Sequence, residues 1–304
     1  MRIPSSLRDR VERTHGAAGR EWLAALPAIL RECRARWALE LAEPFAHLSY
    51  NLVLPGRTAA GTEIVLKVGV PCHELLTEAA ALELFAGRGA VRLLDHDAPR
   101  GLLLLERVTP GALLHEVERD PEATRTAASV MRRLWRTPPA IHSFPSLARW
   151  FRSWAQLREQ FGGGSGPLPT ELLAQAERTF AELNSSAAKN VILHGDLHHA
   201  NILSSASAGW VAIDPKGICG DAGYEVGSFM LNQLPAGADD TTTLNVLARR
   251  LAIFADELQM SRARLTRWAF CHAMLSAAWD FEESAAWHDT IHLARLLAQL
   301  TEAG

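Results

Sequence analysis

Residues 190–223 read NVILHGDLHHANILSSASAGWVAIDPKGICGDAG, and the placement of polar residues in this stretch decides how the rest of the chain is read. The apolar run 191–193 leads into HGDLHHAN at 194–201, where Asn201 follows Asp196 by five residues, and the run WVAI at 210–213 ends on Asp214. Short apolar runs bounded by Gly, Asn, Asp and Pro have the composition of strands joined by turns, so we expect a loop between two short strands. Such a loop sets the Asp196 carboxylate near the Asn201 amide oxygen, and a strand ending in Asp214 projects a second carboxylate. Oxygen donors of this kind are magnesium ligands, and a placed carboxylate accepts a hydroxyl proton. An Asp–Asn spacing alone arises often by chance, and both residues also serve as plain turn formers. The trio with a strand between Asn201 and Asp214 is far more restrictive.

Upstream, residues 47–108 differ in character from their surroundings. HLSYNLVLP (47–55), GTEIVLKVGV (61–70), VRLLDHDAPRG (91–101) and LLLLERV (102–108) read as short strands separated by turns. Between the second and third lies CHELLTEAAALELFAGRG (72–89), a helix expected to end at Gly87 or Gly89. Lys67 interrupts the apolar run IVLKV, where a buried ammonium requires a partner. Glu78 on the following helix is the candidate, with Glu74 and Glu83 as alternatives. An edge strand with Lys67 in solvent is the competing placement. Residues 1 to about 45 read as helical, with Glu21, Trp22, Leu23, Leu26, Ile29 and Leu30 spaced along one face. After Thr109-Pro110-Gly111 the pattern is helical to the end, broken by GGGSGPLP (162–169) and by the stretch quoted first. The expectation is an α+β fold of two lobes joined near 106–111. The smaller covers 1–108, with a helical extension to about 45 and a sheet over 46–108; the larger, mainly helical lobe covers 109–304.

Composition narrows the classes. The chain has 304 residues, 48% hydrophobic and 21% charged, enough for two lobes. MRIPSSLRDRVERTHG lacks the apolar centre of a signal peptide, and no stretch approaches the roughly 18 apolar residues of a membrane span. Cys33, Cys72, Cys219 and Cys271 are scattered, so a reducing cytoplasm is the expected location. Through residue 170 there are 22 Lys and Arg against 18 Asp and Glu; beyond it, 9 against 16. That division suits an anionic nucleotide and a cationic small-molecule acceptor, although two solvated surfaces would give the same counts. Basic residues are too dispersed for a nucleic-acid stripe.

Phosphoryl transfer needs held phosphates, magnesium and a group that orients the attacking hydroxyl. Lys67, Glu78, Asp196, Asn201 and Asp214 follow the order of those parts in protein kinases, with HGD for HRD and DPKG for DFG. HGDLHHAN with IDPKG, together with LKVG, EAAAL, GAVRLLD, LLLLERVTPG and SAAWDFEE, resembles the aminoglycoside phosphotransferase family over roughly residues 45 to 285. Within it the likeness is to the aminoglycoside 6-phosphotransferases, the streptomycin kinases grouped with hydroxyurea-phosphorylating relatives. The resemblance implies a two-lobed protein-kinase-like fold, ATP with Mg2+, and transfer to a hydroxyl of an aminoglycoside, streptomycin first. Carried over by motif, Asp196 would be the catalytic aspartate, Asn201 and Asp214 would bind the metal, and Lys67 would hold phosphates with Glu78 as anchor. Glu106, Arg107 and Val108 would meet adenine through their backbone. His194 would brace the catalytic loop, and Glu225 in GYEVGS would support it. One departure concerns the phosphate loop: HLSYNLVLPG has no glycine before Gly56, which leaves the amides of Ser49, Tyr50 and Asn51 to cover the phosphates.

Adjacent His198 and His199 cannot readily face one ion, so His194, His198 and His199 are not taken as a metal site. Trp279, Asp280, Glu282 and Glu283 in WDFEES are candidates for a cationic acceptor, with Trp279, Glu282 and Glu283 on one helical face; a solvated helix face is the alternative. The competing functions are a metabolic kinase of another amino-alcohol or sugar, and a catalytically dead nucleotide-binding module.

Overall fold

A computed structural model describes residues 3–46, 48–283 and 287–302; His47 of HLSYNLVLP and Ser284 of WDFEES lie outside them. The chain divides into two compact units, Met1–Thr109 and Pro110–Gly304.

The first unit begins with α1 (Ser5–Trp37), whose Leu7, Val11, Trp22, Leu23, Leu26, Leu30 and Cys33 are buried. Gly16, at φ 54 and ψ −124, breaks the helical path; only glycine takes that backbone without strain, so the kink is written into the residue. The helix stops at Ala38 in the left-handed region, short of the extent expected from sequence, and β1 (Leu39–Leu41) follows. With β2 (Leu52–Thr58), β3 (Glu63–Val68), β4 (Leu93–Asp97) and β5 (Leu102–Glu106) it forms an antiparallel sheet ordered β1-β2-β3-β5-β4. Alternate residues Leu52, Leu54, Ile64, Leu66, Val68, Leu102 and Leu104 share one core with α1. Burial of each such side chain contributes about 1.5–3 kcal/mol. Because side chains alternate along a strand, Lys67 points away from α1, and β3 is the central strand. The solvent-edge placement of Lys67 is thereby excluded. Between β3 and β4 runs α2 (His73–Phe85), which ends at Ala86 (φ 50) just before the glycine expected to stop it.

The second unit starts with β6 (Pro110–Leu113), then α3 (Asp120–Leu134), α4 (Leu147–Trp150), α5 (Arg152–Gln160) and α6 (Thr170–Ser185). The stretch 190–223 forms four strands rather than two: β7 (Asn190–Leu193), β8 (Ile202–Ser205), β9 (Gly209–Ala212) and β10 (Ile218–Asp221). β7 pairs with β10, while β8 lies between β6 and β9. The chain continues through α7 (Val226–Leu231), α8 (Asp240–Leu258), α9 (Arg262–Glu282) and α10 (Trp287–Glu302). Leu265, Trp268, Cys271, His272 and Leu275 bury α9 on every face, as befits a helix at the centre of a unit. Among the described residues no helix is long and apolar enough to cross a membrane.

Candidate active site

The pairing of β7 with β10 fixes where the HGD loop begins, since Leu193 lies opposite Ile218. The loop is then held from two sides. Glu225, 1% exposed, accepts the His194 N–H on Oε2 and the Gly195 N–H on Oε1, each at 2.8 Å. Burial pushes this carboxyl up to about 7, against those two N–H donors, which favour its charged form. His194 is fully buried; its Nε2 lies 2.7 Å from the Ile213 carbonyl and therefore carries the proton, leaving Nδ1 to accept the Asp196 N–H at 3.2 Å. Desolvation lowers its pKa to about 4, so the ring stays neutral and works as a two-ended brace. Gly195 has φ +87, and a methyl group there would meet Ile218 Cγ2 and Trp150 Cη2 at 3.0 Å. The sequence HGD thus states a brace, a turn only glycine fills, and the carboxylate they present.

Asp196, with a side chain 37% exposed, receives the Ser228 hydroxyl on Oδ1 at 2.8 Å. Asn201 donates from Nδ2 to the Asp196 carbonyl at 2.9 Å, which commits the amide nitrogen to the loop and turns Oδ1 away from it. The Ile213 N–H donates to the Asn201 carbonyl at 2.9 Å while its own carbonyl holds His194, so the residue before Asp214 is stitched to both ends of the loop. The Lys216 N–H reaches the His194 carbonyl at 2.7 Å. Asp196, Asn201 and Asp214 are therefore gathered in one knot. Asp214 itself sits at φ 59, a strained conformation for a residue with a side chain and one that clusters at functional sites. His198 caps the turn His199–Asn201, accepting the Ala200 N–H on Nδ1. His199 is buried and stacks on Phe229 at 3.8 Å. No group of three or more His, Cys, Asp and Glu among the described residues is placed to hold a metal ion by itself.

In the first unit, Lys67 and Glu78 are each 3% exposed, and Nζ lies 2.8 Å from both Glu78 oxygens. Glu83 instead meets His96 at 3.0 Å. Ser49 and Tyr50 are exposed, whereas Asn51 is half-buried with its side-chain oxygen laid against Gly69, where any Cβ would collide with it. The Glu106 N–H bonds to the Arg92 carbonyl at 3.0 Å, and the Glu106 side chain pairs with Arg92 Nε at 2.6 Å. The half-buried Val108 makes no backbone hydrogen bond among the described residues.

The acceptor candidates are divided. Trp279 donates from Nε1 to Ser153 Oγ at 3.0 Å and meets Trp150 edge-on at 5.4 Å between centroids. Trp150 touches Gly195, so this pair of indoles reaches the residue before Asp196. Asp280 accepts from Thr290 at 2.6 Å and thereby ties α9 to α10. Glu282 and Glu283 are exposed at the C-terminal end of α9, where the helix dipole disfavours negative charge, so helix stability does not account for them. The sequence did not single out Ser228, whose partner Asp196 is 32 residues away, or Trp150, which the fold brings to Gly195.

The strand-rich first unit, the helical second one and the Asp–Asn–Asp knot define a phosphotransferase of the protein-kinase-like fold. Solved structures bear out the fold. A choline kinase, LicA from Streptococcus pneumoniae, superposes with a TM-score of 0.64 at 14% identity, covering 90% of this chain and 99% of its own. An aminoglycoside phosphotransferase, APH(4)-Ia, solved in a ternary complex with ADP and hygromycin B, superposes with a TM-score of 0.64 at 14% identity, covering 90% of this chain and 98% of its own. More specifically, the chain belongs to the aminoglycoside/hydroxyurea antibiotic resistance kinase family, whose model matches residues 36–284. It is 34% identical over 287 residues to the hydroxyurea phosphotransferase of Kitasatospora aureofaciens, covering 93% of this chain and 81% of that protein. Its identity to the streptomycin 6-kinase of Streptomyces glaucescens is 31% over 291 residues, covering 94% and 93%.

Proposed function

We propose that this kinase transfers the γ-phosphoryl group of ATP to a hydroxyl of an aminoglycoside, with 6-phosphorylation of streptomycin as the leading reaction. The observation that carries the proposal is the knot in which one loop, braced by His194 and Glu225, brings Asp196, Asn201 and Asp214 together. In this reading the first unit is the nucleotide lobe. Lys67, aimed by Glu78, holds phosphate oxygens; the open backbone of Val108 and the carbonyl of Glu106 receive adenine; the amides of Ser49 and Asn51 cover the phosphates. The Asn201 Oδ1 and the Asp214 carboxylate suit magnesium, which takes one or two protein oxygens and completes its octahedron with phosphate and water. Magnesium, when bound, neutralises charge on the phosphates.

Asp196 accepts the proton of the acceptor hydroxyl as that oxygen forms its bond to the γ-phosphorus. The bond from phosphorus to the β–γ bridging oxygen breaks, and ADP leaves with the electron pair. A cationic acceptor fits Glu282 and Glu283 and the Trp279 face, with Asp280 holding the end of that helix. Hydroxyurea is the second reading, favoured by the 34% identity to a hydroxyurea phosphotransferase. ATP turnover with streptomycin or hydroxyurea, with the phosphorylated product identified by mass, separates the two. Phosphorylated streptomycin supports the leading reaction; a product from hydroxyurea alone replaces it with the second.

A further inference from the structure

We propose that Ser228 is a positioning residue for Asp196, fixing one carboxylate oxygen so that the other faces the acceptor hydroxyl. The inference deepens the reading of Asp196 as the proton acceptor and rests on it. Ser228 lies in α7, is 6% exposed, and donates its hydroxyl to Asp196 Oδ1 at 2.8 Å. A serine inside a helix ordinarily turns its hydroxyl back to the carbonyl four residues earlier, here that of Tyr224. Ser228 reaches instead to a side chain 32 residues away in sequence. Its own carbonyl is occupied by Asn232 Nδ2 at 2.8 Å, which steadies this turn of α7.

The geometry separates the two carboxylate oxygens. Oδ1 takes the serine hydroxyl and lies 3.9 Å from His198 Nε2, whereas Oδ2 makes no hydrogen bond among the described residues. A carboxylate on a single Cβ–Cγ bond turns readily, and a hydrogen bond to one oxygen removes that freedom before the acceptor arrives. Such preorganisation acts on the chemical step rather than on ground-state affinity. Glu225 and Ser228 stand three residues apart, so one helical turn supports both the backbone of the loop and the side chain it presents.

The test is steady-state kinetics of the full chain with ATP, magnesium and whichever of streptomycin and hydroxyurea the unaltered protein turns over. Ser228→Ala is expected to lower kcat by about ten- to a hundredfold, the worth of a hydrogen bond to a charged group, with both KM values within about twofold. Ser228→Thr restores the hydroxyl and is expected to recover most of kcat, while Ser228→Val, equal to threonine in shape, is not. The threonine–valine comparison also decides the matter if the alanine variant fails to fold. Wild-type kcat in folded Ser228→Ala or Ser228→Val, with Asp196→Ala inactive, overturns the positioning role and leaves Asp196 as the base. Normal turnover by Asp196→Ala overturns the reading beneath it.

Discussion

At the scale of single residues, the question left open by the sequence was which carboxylate meets Lys67. Glu74 and Glu78 are one helical turn apart on α2 and share a face, so spacing could not choose between them. In the structure both Glu78 oxygens lie 2.8 Å from Nζ. Asp196, Asn201 and Asp214 were legible because their chemical types and short separations are themselves the signal. Ser228 was not, because a serine is common in any helix and its partner is distant in sequence. Glu225 shows why identity matters at one atom. Each of its oxygens accepts a backbone N–H, and glutamine offers only one acceptor and would turn its NH2 toward the second donor. Glu225→Gln is expected to destabilise the protein by roughly 1–3 kcal/mol and to lower kcat. Thermal unfolding and turnover of the variant check this; an unchanged melting temperature would contradict the bracing role.

Among elements, the helix that carries these supports is itself clamped. Arg250 on α8 is fully buried, donates from Nε to Asp120 Oδ2 at 2.7 Å, and gives its terminal nitrogens to the carbonyls of Phe229, Asn232 and Gln233. It therefore satisfies the C-terminal end of α7, where the last carbonyls have no partner within the helix. Arg250→Met removes these donors and leaves Asp120 without its buried partner. A loss of about 3–5 kcal/mol in unfolding free energy is expected, read from the denaturant midpoint. A loss below about 1 kcal/mol would mean that α7 is held elsewhere. Elements differed in how well the sequence announced them. The alternation in β2, β3 and β5 was plain because one face of each packs on α1. In 190–223, four-residue strands are too short to show a period, and β8 takes a partner, β6, from some ninety residues away. The α9 helix has no polar face, so periodicity could not describe its surroundings.

For the whole molecule, buried titratable groups set how stability varies with pH. Burial holds His194, His199 and His272 neutral, lowering them from 6.5 to about 4, about 3 and about 4. As pH falls below about 6.5 the unfolded chain binds these protons first, so the stability all three contribute above that pH is lost progressively toward about 3–4, roughly 3–5 kcal/mol each. Glu225 acts with the opposite sign: its carboxyl, raised to about 7, contributes stability at low pH that is lost as pH rises from 4.5. With three histidines against one glutamate, the urea midpoint is expected to be lower at about pH 5 than at about pH 7. Equal midpoints would show that the histidines are not held neutral. The kinase-like order was read from the succession Lys67, Glu78, Asp196, Asn201 and Asp214, and the change from strand to helix patterning falls at Thr109-Pro110-Gly111. The surroundings of the HGD loop were not legible, because residues such as Trp150 are brought to Gly195 by the fold alone. The measurement that bears most directly on the account is product mass after incubation with ATP, magnesium and streptomycin, for the unaltered chain and for Asp196→Ala. Phosphorylated streptomycin is expected from the first and at least about a hundredfold less from the second, with ATP binding retained. Equal product from both would contradict it.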